Sequence, residues 1–424
     1  MDAIANITTY LQDFTYEENA TNHSLFGVTN KITKIETILI GGVHITKYVN
    51  EFWTSKQRQA SSIHEISYRA CFKPQLPRFF IELLSDVGDL VYDPFSGRGT
   101  TVIEAGILGR KIVSNDVNPL SDILTRPRFI PPMVDDVACR LSQIRIDETL
   151  VPEMDLSMFY HEKTLSEILS IRKYLCERKE SGDEDNIDCW IAMVATNRLT
   201  GHSTGFFSVY TLPPNQAVSP ESQKKINEVR DQIPVYRDTK ELIIRKTKSL
   251  LRNLTSAQKS NLNVAAKSGL FINRNAAYTP EIASDSVQLT VTSPPFLNIV
   301  QYSKDNWLRC WFNSLDDLDD DEISKHITMA KTVEEWSSVM GAVFHELYRV
   351  TKPNGWVAFE VGEVKNRTVN LDEHVVPLGN NAGFECNGIL VNYQEFTKTA
   401  NIWGIRNMKS GTNTNRIVLF HKTK

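Results

Sequence analysis

A short apolar segment, a glycine-rich turn and a helix-forming segment follow one another between residues 90 and 108, and this order constrains the fold more than any other feature. The spacing of apolar residues predicts a strand at 90–92, a helix at 100–108 and a second strand at 111–114. Strand–helix–strand units of this kind build parallel sheets that are covered by helices. This part of the chain therefore predicts an α/β fold.

The same alternation returns in the C-terminal part of the chain. Strands are predicted at 287–291 and 356–361, and between them lies a predicted helix at 333–350 that ends before the turn-forming residues 352–355. Apolar and β-branched runs between 391 and 420 predict an antiparallel hairpin that closes the sheet. We therefore expect a mixed, mainly parallel sheet.

Residues 126–265 interrupt this alternation, because they are polar, mainly helical in pattern and broken by several prolines. We interpret them as an inserted domain. The expected division is a small N-terminal appendage at 1–50, the first half of the core at 51–125, the insert at 126–265 and the second half of the core at 266–424.

The composition argues against several classes of protein. The apolar stretches are too short to cross a bilayer and the N-terminus lacks a signal-peptide pattern, so we expect a cytoplasmic protein without a membrane partner. The six cysteines form no Cys-x-x-Cys pair, so we expect neither a disulfide framework nor a metal site. The net charge of −4 argues against a protein that coats nucleic acid through charge alone.

Residues 93–101, with the sequence Asp-Pro-Phe-Ser-Gly-Arg-Gly-Thr-Thr, stand between the first predicted strand and its helix. Gly97 and Gly99 allow the backbone to turn sharply and to lie against a ligand. Asp116 ends the next strand, 17 residues after Gly99, where a carboxylate can accept both hydroxyls of a ribose. Neither a Gly-x-Gly-x-x-Gly nor a P-loop pattern is present, which favours a nucleoside without pyrophosphate. The alternative is a purely structural turn and a surface carboxylate.

This nine-residue sequence resembles the S-adenosylmethionine-binding motif of the DNA amino-methyltransferases, and residues 64–76 are similar to the helix and loop that precede that motif and cover the methionine end of the cofactor. The resemblance implies a Rossmann-like class I methyltransferase fold with S-adenosyl-L-methionine as cofactor. Arg98 departs from the Ser or Thr usual between the glycines and is a candidate for an extra carboxylate or phosphate contact. The cofactor-binding residues that the resemblance implies are Lys73, Pro74, Asp93, Pro94, Phe95, Gly97, Gly99, Thr100, Thr101, Asp116, Asn118 and Asn275.

A second motif, Ser-Pro-Pro-Phe at residues 293–296, follows the predicted strand 287–291 and resembles the catalytic tetrapeptide of the same family. Hydrogen bonds from a base amino group to Ser293 and to a nearby backbone carbonyl would localise the nitrogen lone pair, and proline holds such acceptors rigidly. Phe296 offers a flat face for a base taken out of the duplex. We therefore expect Ser293, Pro294, Pro295 and Phe296 to form the catalytic loop, with a rigid structural turn as the alternative.

The target base is predicted less sharply. Ser in the first position resembles the cytosine-N4 branch of the family, although adenine-N6 enzymes also carry it. Ring-carbon methylation would require a cysteine nucleophile, usually in a Pro-Cys pair, and the chain has no such pair. Tyr302 is a candidate for a wall of the base pocket or, equally, for a core aromatic. Residues 411–416 resemble the ending of these enzymes and fit either DNA contact or a hairpin turn.

The catalytic motif follows the glycine loop by about 200 residues, which resembles the permuted order in which a target-recognition domain separates the two halves. Residues 198–259 contain eleven Lys and Arg against five Asp and Glu. Such a balance suits phosphate contacts, although a charge run is usually a solvated helix face. The candidate DNA-binding residues of the insert are Arg198, Lys224, Lys225, Lys246 and Lys248.

The sequence thus predicts a site-specific DNA methyltransferase that acts on the exocyclic amino group of a flipped base, with cytosine N4 favoured over adenine N6. The expected partners are double-stranded DNA and a cognate restriction endonuclease. The alternatives are an inactive DNA-binding partner subunit and, less favoured, an RNA amino-methyltransferase.

Overall fold

The computed structural model describes residues 3–16, 31–53, 60–69, 71–211, 217–295, 302–315, 332–361, 363–364, 369–393 and 414–424. The helices are α1 (Ala3–Gln12), α2 (Gln75–Leu84), α3 (Thr100–Ile107), α4 (Leu120–Thr125), α5 (Val134–Gln143), α6 (Glu162–Glu180), α7 (Asn186–Arg198), α8 (Pro220–Arg230), α9 (Thr239–Leu251), α10 (Ser256–Ser268), α11 (Tyr302–Phe312), α12 (Val333–Val350) and α13 (Leu371–Ala382). The strands are β1 (Thr15–Tyr16), β2 (Lys31–Ile32), β3 (Lys34–Ile40), β4 (Val43–Asn50), β5 (Leu90–Asp93), β6 (Lys111–Asn115), β7 (Leu270–Ile272), β8 (Val287–Thr292), β9 (Thr351–Val361), β10 (Glu363–Val364), β11 (Val369–Asn370), β12 (Glu385–Tyr393) and β13 (Thr414–His421).

Nine of these strands form one sheet in the order β3-β4-β12-β13-β9-β8-β5-β6-β7. The pairings from β9 through β7 are all parallel, and β4 is parallel to β12. β13 runs antiparallel to both β9 and β12, and β3 is antiparallel to β4. The α/β fold with a mixed, mainly parallel sheet is therefore confirmed.

The chain changes direction across the sheet at β5. It first builds outward through β6 and β7, and then it returns to place β8 on the opposite side of β5. At such a point the connections that leave the two central strands diverge, which opens a crevice at the carboxyl ends of the strands. The glycine loop and the Ser-Pro-Pro-Phe motif leave β5 and β8 at this crevice.

Both faces of the sheet are buried, because alternate side chains of each strand point to opposite layers. Val91 belongs to a buried cluster with residues of α2, α3 and α10, whereas the next residue, Tyr92, belongs to a second cluster with α12 and α13. The helix over residues 333–350 is present as predicted, and it covers the second face.

The segment 1–50, which we expected to be an appendage, contributes to the main sheet. Strands β3 and β4 form a hairpin at its edge, and β4 pairs with β12. The side chain of Asn392 at the end of β12 accepts the backbone N–H groups of Phe52 at 2.8 Å and Trp53 at 3.3 Å. The sheet edge and these side-chain bonds tie this segment to the core.

The insert is mainly helical and includes α5 to α10. Trp190 of α7 and Leu242 of α9 belong to the same buried cluster as Val91 of the central strand. Helix α10 spans the expected boundary at residue 265 and leads into β7, and its Asn261 side chain donates to the Ile107 carbonyl at 3.0 Å. The insert therefore shares a continuous core with the sheet and its first helices. In the part of the chain described, no helix is long and apolar enough to cross a membrane.

Candidate active site

Two loops that lie far apart in sequence meet at one edge of the sheet. Asp93 ends β5, Asn115 ends β6 and Thr292 ends β8, and since these strands are parallel their ends lie side by side. A cleft of about 1070 Å³, including its open mouth, occupies this edge. The residues from our sequence predictions that line it are Asp93, Pro94, Phe95, Gly97, Thr100, Asp116, Asn118, Asn275, Ser293, Pro294 and Pro295.

The two glycines of the turn have different neighbours. Both have positive φ angles, 52° for Gly97 and 73° for Gly99. A Cβ on Gly97 would point at the Tyr68 ring in the cleft, whereas a Cβ on Gly99 would collide with the side chain of Thr125 at the end of α4. Gly97 thus opens the cleft, while Gly99 permits α4 to pack closely and does not line the cleft.

Asp116 lies opposite the glycine turn with its carboxylate held in place. Its Oδ2 accepts the Gly97 N–H at 2.8 Å, and its Oδ1 accepts the Asn118 N–H at 2.9 Å. Burial raises the pKa of this carboxyl to about 6, and the two hydrogen bonds act in the opposite direction. The Oδ1 of Asn118 also accepts the Leu120 N–H at 3.0 Å, just before α4 begins. The arrangement fixes a carboxylate at the cleft with lone pairs still available for hydroxyl donors.

Asp93 and Thr101 join the glycine loop to the catalytic loop. The Thr292 hydroxyl donates to Asp93 Oδ1 at 2.6 Å, and the Thr101 hydroxyl donates to the Val291 carbonyl at 3.0 Å. Burial raises the pKa of Asp93 to about 7, and its hydrogen bonds oppose this increase. Thr101, which we expected to bind cofactor, is buried and does not line the cleft. The first contact joins the ends of β5 and β8, and the second joins the start of α3 to β8.

Ser293 has a partner that the sequence analysis missed. Its hydroxyl is hydrogen-bonded to the carboxylate of Glu360 in β9, and Asn415 of β13 donates to the same carboxylate at 2.6 Å. Burial raises the pKa of Glu360, although the hydrogen bonds from Ser293 and Asn415 lower it. The available signal was a charged residue in the otherwise apolar strand 356–361, since a buried carboxylate is costly unless it is hydrogen-bonded.

Helix α12 supplies an apolar wall that was also not expected. Trp336, Val339, Met340 and Val343 line the cleft, and their spacing places them on one face of the helix. The indole Nε1 of Trp336 donates to the Pro295 carbonyl at 2.9 Å. An apolar stripe on a crossover helix usually indicates core packing, so the pattern alone did not assign these residues to a site.

The segment before α2 contacts the cleft through residues other than those predicted. Tyr68, Arg69, Cys71 and Phe72 line it, whereas Lys73 and Pro74 do not. Pro74 is buried at the start of α2, and burial lowers the pKa of Lys73, as does the nearby charge of Arg98. The contact surface therefore lies a few residues earlier than the resemblance suggested.

Arg98 does not serve as a ligand contact, because its guanidinium is buried and bonded to the protein. It donates to the Ile66 carbonyl at 2.6 Å and to the His64 carbonyl at 3.3 Å. Arg128, fully buried, donates to the Ile63 carbonyl at 3.2 Å. The two arginines hold the loop that supplies one side of the cleft.

The candidate DNA-binding cations of the insert fall into two groups. Lys246 is only 10% exposed, pairs with Glu65 at 3.8 Å and has a pKa lowered by burial to about 7. Arg198 lies over the Phe206 ring at 4.0 Å, and burial lowers its pKa to about 10. These two are not positioned as surface phosphate contacts. The exposed cations are Lys224, which pairs with Asp155 at 3.6 Å, Lys225 and Lys248.

Some predicted residues lie outside the described part of the chain. These are Phe296 of the catalytic loop, the side chain of Tyr302 and residues 411–413. Among the other residues of the C-terminal motif, Asn415 binds Glu360, and Arg416 donates to Asp372 at 3.0 Å.

Known proteins resemble parts of this chain in sequence. Residues 25–121 match the sequence profile of the N6_N4_Mtase family, described as DNA methylase. The type II methyltransferase M.MvaI of Kocuria varians is 33% identical over 98 residues, which are 22% of this chain and 20% of that protein. M.BsoBI of Geobacillus stearothermophilus is 34% identical over 130 residues, or 30% of this chain and 25% of that protein. The chain thus spans a quarter or less of the length of these curated relatives.

The solved structures matched by structural comparison share little sequence with this chain. A SAM-dependent methyltransferase of Methanosarcina mazei is 10% identical, with 81% of this chain and 96% of that chain covered and a TM-score of 0.31. The rRNA methyltransferase aviRa of Streptomyces viridochromogenes is also 10% identical, covers 88% of this chain and 94% of its own, and has a TM-score of 0.33. The family profile therefore relates residues 25–121, which contain the glycine loop and Asp116, to DNA methylases.

Proposed function

We propose that this protein transfers a methyl group from S-adenosyl-L-methionine to the exocyclic amino nitrogen of a DNA base taken out of the duplex. The observation that carries this proposal is the meeting of Asp116 and Ser293 in one cleft, with Glu360 bonded to the Ser293 hydroxyl. Cytosine N4 is the favoured acceptor because of the Ser-Pro-Pro-Phe sequence, and adenine N6 is the other acceptor of the same chemical class.

The cleft fits this cofactor in three respects. The fixed carboxylate of Asp116 can accept the two ribose hydroxyls, and Gly97 leaves room where a side chain would intrude. The apolar face of α12, from Trp336 to Val343, offers a surface for the flat adenine ring. When bound, S-adenosylmethionine supplies a methyl group activated by its positively charged sulfur.

The residues around Ser293 can prepare an amino nitrogen for attack. Because the Ser293 hydroxyl donates to Glu360, its oxygen is left to accept one N–H of the base. The Pro295 carbonyl already accepts the Trp336 indole, and no described residue donates to the Pro294 carbonyl. We assign the second N–H to the Pro294 carbonyl. The amino nitrogen loses one proton when it gains the methyl group, and Ser293 can pass that proton to Glu360, whose raised pKa suits it to accept.

The insert is proposed to hold duplex DNA, in the permuted arrangement that separates cofactor and catalytic halves. The exposed side chains of Lys224, Lys225 and Lys248 are available for phosphates. Replacing all three with Gln should weaken binding equally on all duplexes and flatten the salt dependence, since phosphate contacts carry no sequence information. Lys246→Gln is the control, because that cation is buried and should leave the salt dependence unchanged. If the triple variant and the wild type have the same salt dependence of binding, these three residues do not contact DNA phosphates.

The test of the reaction uses the full chain with S-adenosylmethionine labelled in the methyl group. Duplex DNA and RNA are offered separately, and the products are digested to nucleosides and identified by mass spectrometry. We expect N4-methylcytosine in DNA. Detection of N6-methyladenine in DNA would support the proposed reaction, with adenine as the target base. Label found only in RNA, or in no nucleic acid, would overturn the proposal. A cognate restriction endonuclease is proposed as a partner because the curated relatives are type II methyltransferases.

A further inference from the structure

The catalytic loop contains two consecutive prolines, which limit the hydrogen bonds that can stabilise its conformation. Pro294 and Pro295 have no backbone N–H, so two consecutive peptide units lack the donors that would anchor a loop. Their rings fix φ but leave ψ free to rotate, and ψ decides where each carbonyl points. The two prolines can therefore be anchored only through their carbonyl acceptors, by donors from elsewhere in the protein.

The described structure supplies one such donor to this loop. The indole Nε1 of Trp336 donates to the Pro295 carbonyl at 2.9 Å, and the Trp336 side chain is 1% exposed. Trp336 lies in the first turns of α12, whose start is fixed by a capping box between Thr332 and Glu335. The donor is therefore carried by a rigid element and is protected from competing water.

We propose that Trp336 is a positioning residue for the methyl-transfer reaction, acting through the Pro295 carbonyl to hold the direction of the neighbouring Pro294 carbonyl. The loop is then fixed on both sides of Pro294, by Glu360 on Ser293 and by Trp336 on Pro295. A carbonyl whose direction is set in advance costs no reorganisation when the base arrives. This inference rests on the proposed function for its effect on rate, but not for the contact itself.

Two variants separate the hydrogen bond from the packing of the ring. Trp336→Phe removes the indole and some volume, whereas replacement of Trp336 by benzothienylalanine, whose sulfur stands where the N–H was, removes only the donor. The matched control is Trp190→Phe. Trp190 is also fully buried and donates to Thr247 at 3.0 Å, but it lies in the insert and does not line the cleft.

The first measurement detects the contact without any reaction. The protein is labelled with ¹⁵N-tryptophan, and the indole signal that disappears in Trp336→Phe is assigned to Trp336 among the seven tryptophans. We expect this N–H to exchange with deuterated water as slowly as that of Trp190. Exchange at the rate of an exposed indole would overturn the anchoring contact.

The second measurement is the single-turnover rate of methyl transfer beside the dissociation constant for S-adenosylmethionine. Both Trp336 variants should transfer methyl about tenfold more slowly, and the benzothienylalanine variant should bind the cofactor within twofold of wild type. Trp190→Phe should lower the melting temperature without changing either quantity. A wild-type rate in the benzothienylalanine variant would overturn the positioning role. If the wild-type protein methylates nothing, the proposed function fails, and the indole exchange still decides the contact.

Discussion

The glycine loop and the catalytic loop lie side by side in the cleft, but they are held in different ways. The glycine loop is shaped by residues close to it in sequence: the Ser96 carbonyl accepts the Gly99 N–H, and Asp116 accepts the Gly97 N–H. The catalytic loop depends on residues far away in the chain, because Thr292 bonds to Asp93 across 199 positions and Pro295 bonds to Trp336 across 41. Its two prolines lack backbone N–H groups, so they can be held only through their carbonyls. One loop is thus built by local geometry and the other by its tertiary partners.

The largest expected effect is at Ser293. Ser293→Ala should lower the single-turnover rate by about 10²–10³, the loss typical when a preorganised hydrogen-bonding partner of the transition state is removed. Cofactor and DNA binding should remain, because Ser293 acts on the reacting nitrogen. Ser286→Ala is the control, since Ser286 is a partly exposed residue outside the cleft whose hydroxyl donates to the Ala283 carbonyl before β8. If Ser293→Ala transfers methyl at the wild-type rate, the Ser-Pro-Pro-Phe motif is only a structural turn.

The next effect concerns Glu360, which tests whether the catalytic loop works through distant residues. Glu360→Gln should lower the rate about 10²-fold, within the range of general acid–base contributions. Because burial raises its pKa, Glu360 is protonated at a higher pH than an ordinary carboxyl, and the wild-type rate should fall as the pH drops through that value. The variant should lack this acidic decline. A pH–rate profile of the same shape in both proteins would exclude Glu360 as the proton acceptor.

Asp116 tests the glycine loop, whose Gly97 N–H it accepts. Asp116→Ala should weaken S-adenosylmethionine binding by about 1.5–3 kcal/mol, the range for hydrogen bonds to a charged group, with little change in the rate at saturating cofactor. Since the pKa of Asp116 is about 6, wild-type affinity should also fall as the pH drops below that value, because the protonated carboxyl accepts hydroxyls less well. Calorimetric titration measures both effects. Asp122→Asn is the control, because Asp122 lies in α4, pairs with Arg126 at 2.8 Å and does not line the cleft. Equal affinity in the two variants would reject the ribose assignment.

The smallest expected effect on turnover is at Gly99. Gly99→Ala places a Cβ against Thr125 in a residue whose φ is 73°. The free energy of unfolding, measured by denaturant titration, should therefore fall by about 1–3 kcal/mol. The rate of the folded protein should change little, since Gly99 does not line the cleft. Adding Thr125→Gly should restore part of the lost stability. If the double variant is no more stable than Gly99→Ala, contact with Thr125 is not the reason for this glycine.

The elements that could be predicted from the sequence follow the same division between local and distant contacts. The strands β5, β6 and β8 and the helices α3 and α12 were predicted within one or two residues, because each has a clear apolar period and a turn signal at its end. The short strand β7 was missed, since three residues after a helix carry too little pattern. The β3–β4 hairpin was interpreted as an appendage because its pairing with β12 joins residues more than 300 positions apart.

The residues of the candidate site divide in the same way, into those set by local sequence and those set by tertiary contacts. The sequence alone determined the glycine turn, Asp116 directly after β6 and the Ser-Pro-Pro-Phe loop, because backbone geometry and strand order are encoded locally. Only the tertiary structure decided that Glu360 and Trp336 hold the catalytic loop, that Arg98 binds backbone carbonyls and that Lys246 is buried. The physical reason is that a side chain's role depends on what surrounds it, and those neighbours come from segments that the folded sheet and its helices bring together.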